Sequence, residues 1–422
     1  MRGSVEAASG AKLTKCAEDV EELRYVARQP ILDLRQRVVA YELLSRSGAE
    51  TAFHGDRRRA SREMLDNLVL FGLDRLTGGR TAFVNCTGEV LTEQLVEILN
   101  PEMTVLEILE TVEPTAEVIE ACKRVKLHGF RLALDDFEWR DELEPLVELA
   151  DYVKVDFLKS GVRERRALAG RLEGRRVKRL AEKVETQREF EEAREEGFTY
   201  FQGYFFCRPT LLPSQKVPAN QSYHFKILHL LREEPIDFQA VGAMVKRDAA
   251  LTFRLLRLAN SPLYGMRQKV QSVETAIVAI GEEAFRRLAM LAIAGELSAG
   301  RPAEVLRTAL VRARFCEQAA ALPGLEPTEQ YLLGLLSLLP AMLRIPMESA
   351  VEVLPVRDEI RNALCGGRGR ERVLLGWMEA HENGDWPRCE MLAREAELDE
   401  AALARAAREA VVWVEEMMCC CR

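Results

Sequence analysis

TAFVNCTGEVLTEQLVEILNPEMTVLEILE, residues 81–110, contains one full repeat of the fold's strand-helix-strand pattern. TAFVN (81–85) and TVLEIL (104–109) are short apolar, β-branched runs of strand length, and the amphipathic, charged GEVLTEQLVEILN (88–100) lies between them. Strand, helix, strand in that order implies a parallel sheet. The rhythm continues outward: strand-like runs recur at 130–135, 152–156, 177–182 and 198–202, separated by stretches such as ETQREFEEAREEG. Upstream, residues 25–44 read as a hairpin, with YVARQPILDL and VVAYELL flanking a turn at Arg35-Gln36-Arg37. A helix is expected over roughly 57–77, from Met64, Leu65, Leu68, Leu70 and Leu73. Six strands and the hairpin's two make eight, the number that closes a (β/α)8 barrel, although the segment is shorter than the typical ~250 residues and pattern alone leaves an open sheet as the alternative.

The rhythm stops at TLLPSQKVPANQS (210–222), a proline-containing polar stretch that reads as a linker. The expected organisation is a lead-in over 1–23, a barrel over 24–209, the linker, and an all-α domain over 223–422. In the last part Asp248 is placed to cap a helix over 249–259, and Ser272 to cap VETAIVAI, which stops at Gly281. Further helices are expected over 303–321, 328–344 and 398–418.

Composition bounds the function. The 422 residues carry 59 basic and 67 acidic side chains, a formal charge of −8, with 48% apolar residues. That balance fits a globular chain and excludes disorder for most of it. No apolar run approaches the ~20 residues of a membrane helix, and the first residues hold no apolar signal core, so a cytoplasmic protein with no membrane partner is expected. The ten cysteines form no CxxC pair, and the Cys419–Cys421 run is read as an exposed tail. Net negative charge argues against a duplex nucleic-acid partner, and the arginines around 301–314 and 368–372 are read as solvated faces.

The chemistry gathers at the C-terminal ends of the strands. Glu42, Asn85, Glu107, Asp135-Asp136, Lys154 with Asp156, Glu182 and Gln202 all fall there. In a parallel barrel those ends share one rim, the rim that carries active sites. Singly, each acidic residue reads as a helix cap or a solvated loop residue; repetition at strand after strand does not. Several carboxylates at one mouth repel one another, and one lysine cannot neutralise them. Hard divalent cations can, and carboxylate and amide oxygens suit Mg2+ or Mn2+. A pair of such ions is a common apparatus for phosphodiester hydrolysis.

These motifs resemble the EAL family, the cyclic di-GMP phosphodiesterases of bacterial signalling, over about residues 25–210. QPI (29–31), YELLSR (41–46), VNCT (84–87), LEILE (106–110), ALDDF (133–137), VKVDF (153–157), AEKVET (181–186) and QGYFFCRP (202–209) follow in the family's order. The resemblance implies a modified barrel with one strand reversed. It implies metal ligation by Glu42, Asn85, Glu107, Asp135 and Asp136, with Glu185 supporting the site. Lys154 would contact the hydrolytic water, Glu182 would be the general base, and Gln202 would orient water or substrate. Gln29 and Arg46 would meet the substrate. The cofactors would be two Mg2+ or Mn2+ ions, and the product linear pGpG.

There are departures. The family's D-D-F-G-T-G loop is Asp-Asp-Phe-Glu-Trp-Arg (135–140), without either glycine; Lys183 replaces the glycine of A-E-G-V-E; Leu109 replaces a threonine, and Leu43 the alanine of E-A-L. A strained loop is expected in consequence, and with it the alternative of a non-catalytic receptor or scaffold. Family members also pair through this loop, which brings in a homodimer. DAALTFRLLRLANSPLYG (248–265) and VQSVETAIVAIG (270–281) resemble HDOD domains, helical relatives of HD phosphohydrolases. None of the five histidines precedes an aspartate, so this half is expected to be a regulatory or interaction module with a protein partner.

Overall fold

The computed structural model describes residues 24–47, 73–207, 219–233, 235–260, 270–352, 354 and 356–420. The lead-in over 1–23, most of the helix expected over 57–77, most of the 210–222 linker and the last two residues lie outside these. Eight strands form a closed barrel: β1 (Arg24–Asp33), β2 (Val38–Ser47), β3 (Thr81–Cys86), β4 (Thr104–Ile108), β5 (Arg131–Leu134), β6 (Tyr152–Asp156), β7 (Lys178–Glu182) and β8 (Tyr200–Gln202). β1 runs antiparallel to both neighbours, β2 and β8, while the pairs from β2 to β8 are parallel. The reversal follows from the tight hairpin, where Asp33 accepts from the backbone N–H groups of Arg35 and Arg37, each at 2.9 Å.

Strand alternation then places the site. Ile31, Ala40, Phe83, Val105, Ala133, Tyr152 and Leu180 form one apolar cluster inside the barrel, with Tyr200 packed against it. Side chains two residues apart share a face. Moving two residues toward the mouth from each member reaches Gln29, Glu42, Asn85, Glu107, Asp135, Lys154, Glu182 and Gln202. The intervening residues, among them Val84, Leu106, Leu134, Val153, Ala181 and Phe201, belong to the larger core outside the barrel.

The remainder is helical. Asp248 caps Ala249–Ala259 by accepting from Leu251 N at 2.9 Å, with Leu251, Leu255 and Leu258 buried. Ser272 caps Val273–Ile280, which ends at Gly281 with φ +81°. The helices expected from 303 and 398 run Ala303–Ala319 and Glu400–Cys420. The single helix expected over 328–344 is two, Pro327–Leu336 and Leu339–Leu343. Pro340, which lacks an N–H, is tolerated in the first turn of a new helix but not within a continuous one. His224 is buried with Nε2 2.9 Å from Asp248 Oδ2, and His229 pairs with Glu233, so both serve packing or surface. No helix among the described residues is long and apolar enough to cross a membrane.

Candidate active site

Lys154 Nζ is the hub of the polar layer. It donates to Asp135 Oδ1 at 2.7 Å and to Glu42 Oε2 at 3.2 Å, and lies 2.6 Å from Glu107 Oε1 and 2.8 Å from Glu182 Oε1. Side chains from β2, β4, β6, β7 and the end of β5 thus meet at one ammonium, although more than 100 residues separate Glu42 from Lys154. Gln202 Nε2, from β8, donates to Glu42 Oε2 at 2.6 Å and to Gln29 Oε1 at 2.7 Å.

Burial makes this cluster electrostatically costly. Glu107 is fully buried, and its carboxyl is held well above its ordinary pKa by desolvation and by the charges of Glu42 and Asp135, against the pull of Lys154. Glu182 is pushed up to about 8 by burial, with Lys154 opposing. Burial alone would lower Lys154, but Glu107, Glu182, Glu42 and Asp135 outweigh it and hold the ammonium well above its usual range. One ammonium cannot balance four carboxylates.

The donor set fits hard cations. Asn85 Oδ1, Glu107 Oε2, Glu182 Oε2 and Gln202 Oε1 are buried and accept no hydrogen bond. Buried oxygens without partners are rare in folded proteins, and these belong to the types that ligate Mg2+ or Mn2+. Among the described residues no trio of histidine, cysteine or acidic side chains stands ready as a metal cage. The carboxylates are instead drawn in on Lys154, which supplies the positive charge at the centre of the layer.

Asp136 and Glu185 stand apart from that layer. Both line the mouth, but Asp136 Oδ2 pairs with Lys159 Nζ at 2.5 Å. Glu185 donates its backbone N–H to Glu189 Oε2 at 2.7 Å. The Arg46 backbone lies in β2 opposite Tyr25, and its side chain is outside the described residues.

The altered loop does not carry the strain expected at its lost glycines. Arg140 has φ −130°, open to any residue. Trp139 is half-buried against the core, edge-on to Phe137, with the guanidinium carbons of Arg171 and Arg175 within 5.4 Å of its ring. Asp135 stays in place because its N–H donates to Ile108 O at 3.0 Å and that of Phe137 to Lys154 O at 2.9 Å. Strain sits instead at Asp136 (φ +41°) and Lys183 (φ +55°), left-handed conformations that suit glycine. Lys183 Nζ bonds Asp156 Oδ2 at 2.5 Å, so its side chain anchors the turn that its backbone strains.

Above the polar layer opens a cavity of about 790 Å³, inside the roughly 300–1,000 Å³ of small-molecule sites. Its floor includes Glu42, Asn85, Asp135, Glu182 and Gln202, and its far wall comes from the helical half, with Arg307, Glu382, Trp386 and Arg408. Sequence reasoning missed that wall entirely, because no motif marks it.

A family model described as EAL domain matches residues 87–209, and one described as HDOD domain matches residues 217–351. YuxH of Bacillus subtilis is 32% identical over 405 residues, 93% of this chain and 98% of that one. Cyclic di-GMP phosphodiesterase CdgJ of Vibrio cholerae is 32% identical over 407 residues, 95% of this chain and 94% of that protein. Among solved structures, the calcium and cyclic di-GMP complex of Klebsiella pneumoniae BlrP1 aligns at 24% identity and a TM-score of 0.38, over 44% of this chain and 56% of that one. The FimX EAL domain aligns at 20% identity and a TM-score of 0.35, over 44% of this chain and 89% of that one. The order of the two matched domains and the near full-length identity to both relatives lead to one conclusion: this chain belongs to the family in which an EAL domain is followed by an HDOD domain.

Proposed function

We propose that the barrel binds cyclic di-GMP in the cavity and hydrolyses one of its two 3′–5′ links to linear pGpG, and that the helical half is the regulatory module. The observation that carries this reading is the ring of Glu42, Glu107, Asp135 and Glu182 about Lys154, with unpartnered oxygens of Asn85 and Gln202 beside it. Glu42, Asn85, Glu107 and Asp135 would hold two Mg2+ or Mn2+ ions, with Asp136 and Glu185 at the rim of the site. When bound, such ions supply Lewis acidity toward a phosphoryl oxygen and favour ionisation of water. The chain's own groups do the rest. Glu182 accepts a proton from the attacking water, Lys154 holds that water by hydrogen bonding, and Gln202 fixes its direction. The water oxygen bonds to phosphorus, the bond from phosphorus to the 3′ oxygen breaks, and that oxygen takes a proton from solvent while Glu182 returns its own to solvent, which leaves the 5′-phosphate of pGpG. Gln29 and Arg46 would contact the dinucleotide; guanidinium suits a phosphate's paired oxygens. The relative CdgJ, named as a cyclic di-GMP phosphodiesterase, supports the substrate.

A receptor that binds without turnover is the second reading, favoured by Asp136, whose carboxylate is turned to Lys159 rather than to the Lys154 cluster. One experiment separates the two. Purified full chain is incubated with cyclic di-GMP and Mn2+, and pGpG is followed by chromatography. Hydrolysis predicts product in the wild type and none with Glu42→Ala. Dinucleotide binding with no product from either protein supports the receptor, and absence of both defeats the two readings together.

A further inference from the structure

We propose that Glu382, in the helical half, is a positioning residue for the barrel's catalytic centre; this deepens the phosphodiesterase reading and rests on it. Glu382 ends the helix Arg370–Glu382, where the last carbonyls lack partners within the helix. Gln29 Nε2 donates to the Glu382 carbonyl at 3.2 Å. The other end of the same amide, Gln29 Oε1, accepts from Gln202 Nε2, which also donates to Glu42. A continuous chain of hydrogen bonds therefore leads from a helix end in one half to the Lys154 cluster in the other.

The Glu382 side chain also holds Tyr204, two residues beyond Gln202. Its Oε2 accepts from the Tyr204 hydroxyl at 3.1 Å and from Arg312 Nη2 at 2.6 Å, and its Oε1 accepts from Arg312 Nε at 2.9 Å. Arg312 is itself buried and bonded to Ser337 Oγ at 3.2 Å, so the carboxylate is clamped before it meets Tyr204. Between Gln202 and Tyr204, Gly203 packs so tightly that a Cβ there would lie 2.1 Å from Val184 O. That leaves no slack for Gln202 to move alone. Residue 382 thus reaches Gln202 by two routes, through the Gln29 amide and along the backbone through Tyr204.

Docking alone does not require this arrangement. A separate polar interface joins the halves: the Tyr41 hydroxyl donates to Glu304 at 3.1 Å, and Arg28 pairs with Glu415 at 2.8 Å. Gly384, with φ +67°, also lies against the barrel, where a Cβ would meet Leu44 Cδ1 at 2.8 Å. Those contacts survive when the Glu382 carboxylate is altered.

The test uses the full chain and two substitutions, Glu382→Gln and Tyr204→Phe. Neither changes side-chain size greatly, and Tyr204→Phe removes only one hydroxyl should Glu382→Gln fail to fold. Two quantities are read: hydrolysis of cyclic di-GMP with Mn2+, and amide hydrogen exchange over residues 200–205 with neither metal nor nucleotide present. The expected result is faster exchange over 200–205 in both variants. With it, kcat falls roughly tenfold or more in Glu382→Gln, the usual cost of removing a group that orients a metal site, and falls less in Tyr204→Phe, while KM stays near the wild-type value. Wild-type exchange over 200–205 in the variants that fold overturns the proposal, whatever the turnover. If the wild type itself forms no pGpG, the phosphodiesterase reading fails, and the exchange comparison still decides the role of Glu382.

Discussion

Lys154→Met destabilises the metal-free protein by about 3–5 kcal/mol, the cost of removing one partner from a buried ion pair. The side chain is 1% exposed, and four carboxylates lie within 3.2 Å of its ammonium. Methionine fills a similar volume, so the loss measures charge rather than packing. The same variant depends more on divalent cations than the wild type, since a bound cation replaces the missing positive charge. Urea unfolding of both proteins, with chelator and with excess Mn2+, reads the effect: the variant's midpoint drops steeply in chelator and recovers with Mn2+. Turnover does not recover, because Lys154 also holds the attacking water under the proposed reading. A variant as stable as the wild type in chelator would mean that the carboxylates are neutral and that the ammonium is not their counter-charge.

Glu107→Gln acts with the opposite sign on stability. Glu107 is the most deeply buried acid of the cluster; its Oε1 lies 2.6 Å from Lys154 Nζ, and its Oε2 accepts no hydrogen bond. Its carboxylate pays a desolvation penalty that only a cation fully offsets. The neutral amide removes that penalty and one of the mutually repelling charges, so the metal-free variant unfolds at a higher temperature than the wild type. Under the proposed reading hydrolysis falls by roughly a thousandfold, because Glu107 would then be a metal ligand whose loss forfeits several kcal/mol of transition-state stabilisation, at about 1.4 kcal/mol per factor of ten. Residues that lower stability while serving chemistry are the signature of a functional site. Thermal unfolding in chelator and steady-state turnover with Mn2+, measured on one preparation, give both numbers. A variant less stable than the wild type would assign Glu107 a structural role.

The barrel and its polar layer were legible because both rest on a period of two. An inward apolar residue such as Val105 or Leu180 implies that Glu107 or Glu182, two positions on, shares its face. The strand-helix rhythm implies that all such positions reach one rim. Local caps were equally readable: Asp248 and Ser272 lie directly before apolar helical periods. What stayed hidden depends on chain segments remote from one another. Gln29 meets Glu382 across 353 residues, with nothing in either neighbourhood to mark the pairing. The expected loop strain was misplaced because substitution of a glycine predicts strain only where the backbone keeps a positive φ. Lys183 keeps it and Arg140 does not. The break before Leu339 was missed because the periodicity runs on through it, while Pro340 restarts the helix.

Direct titration of the purified, metal-free chain with Mn2+ shows whether the oxygens around Lys154 form a divalent-cation site. Saturable binding heat is expected, with a rise in unfolding free energy of about 2.7 kcal/mol at a hundredfold excess over the dissociation constant, both lost in Asp135→Asn. No binding heat and an unchanged unfolding midpoint in millimolar Mn2+ would contradict it.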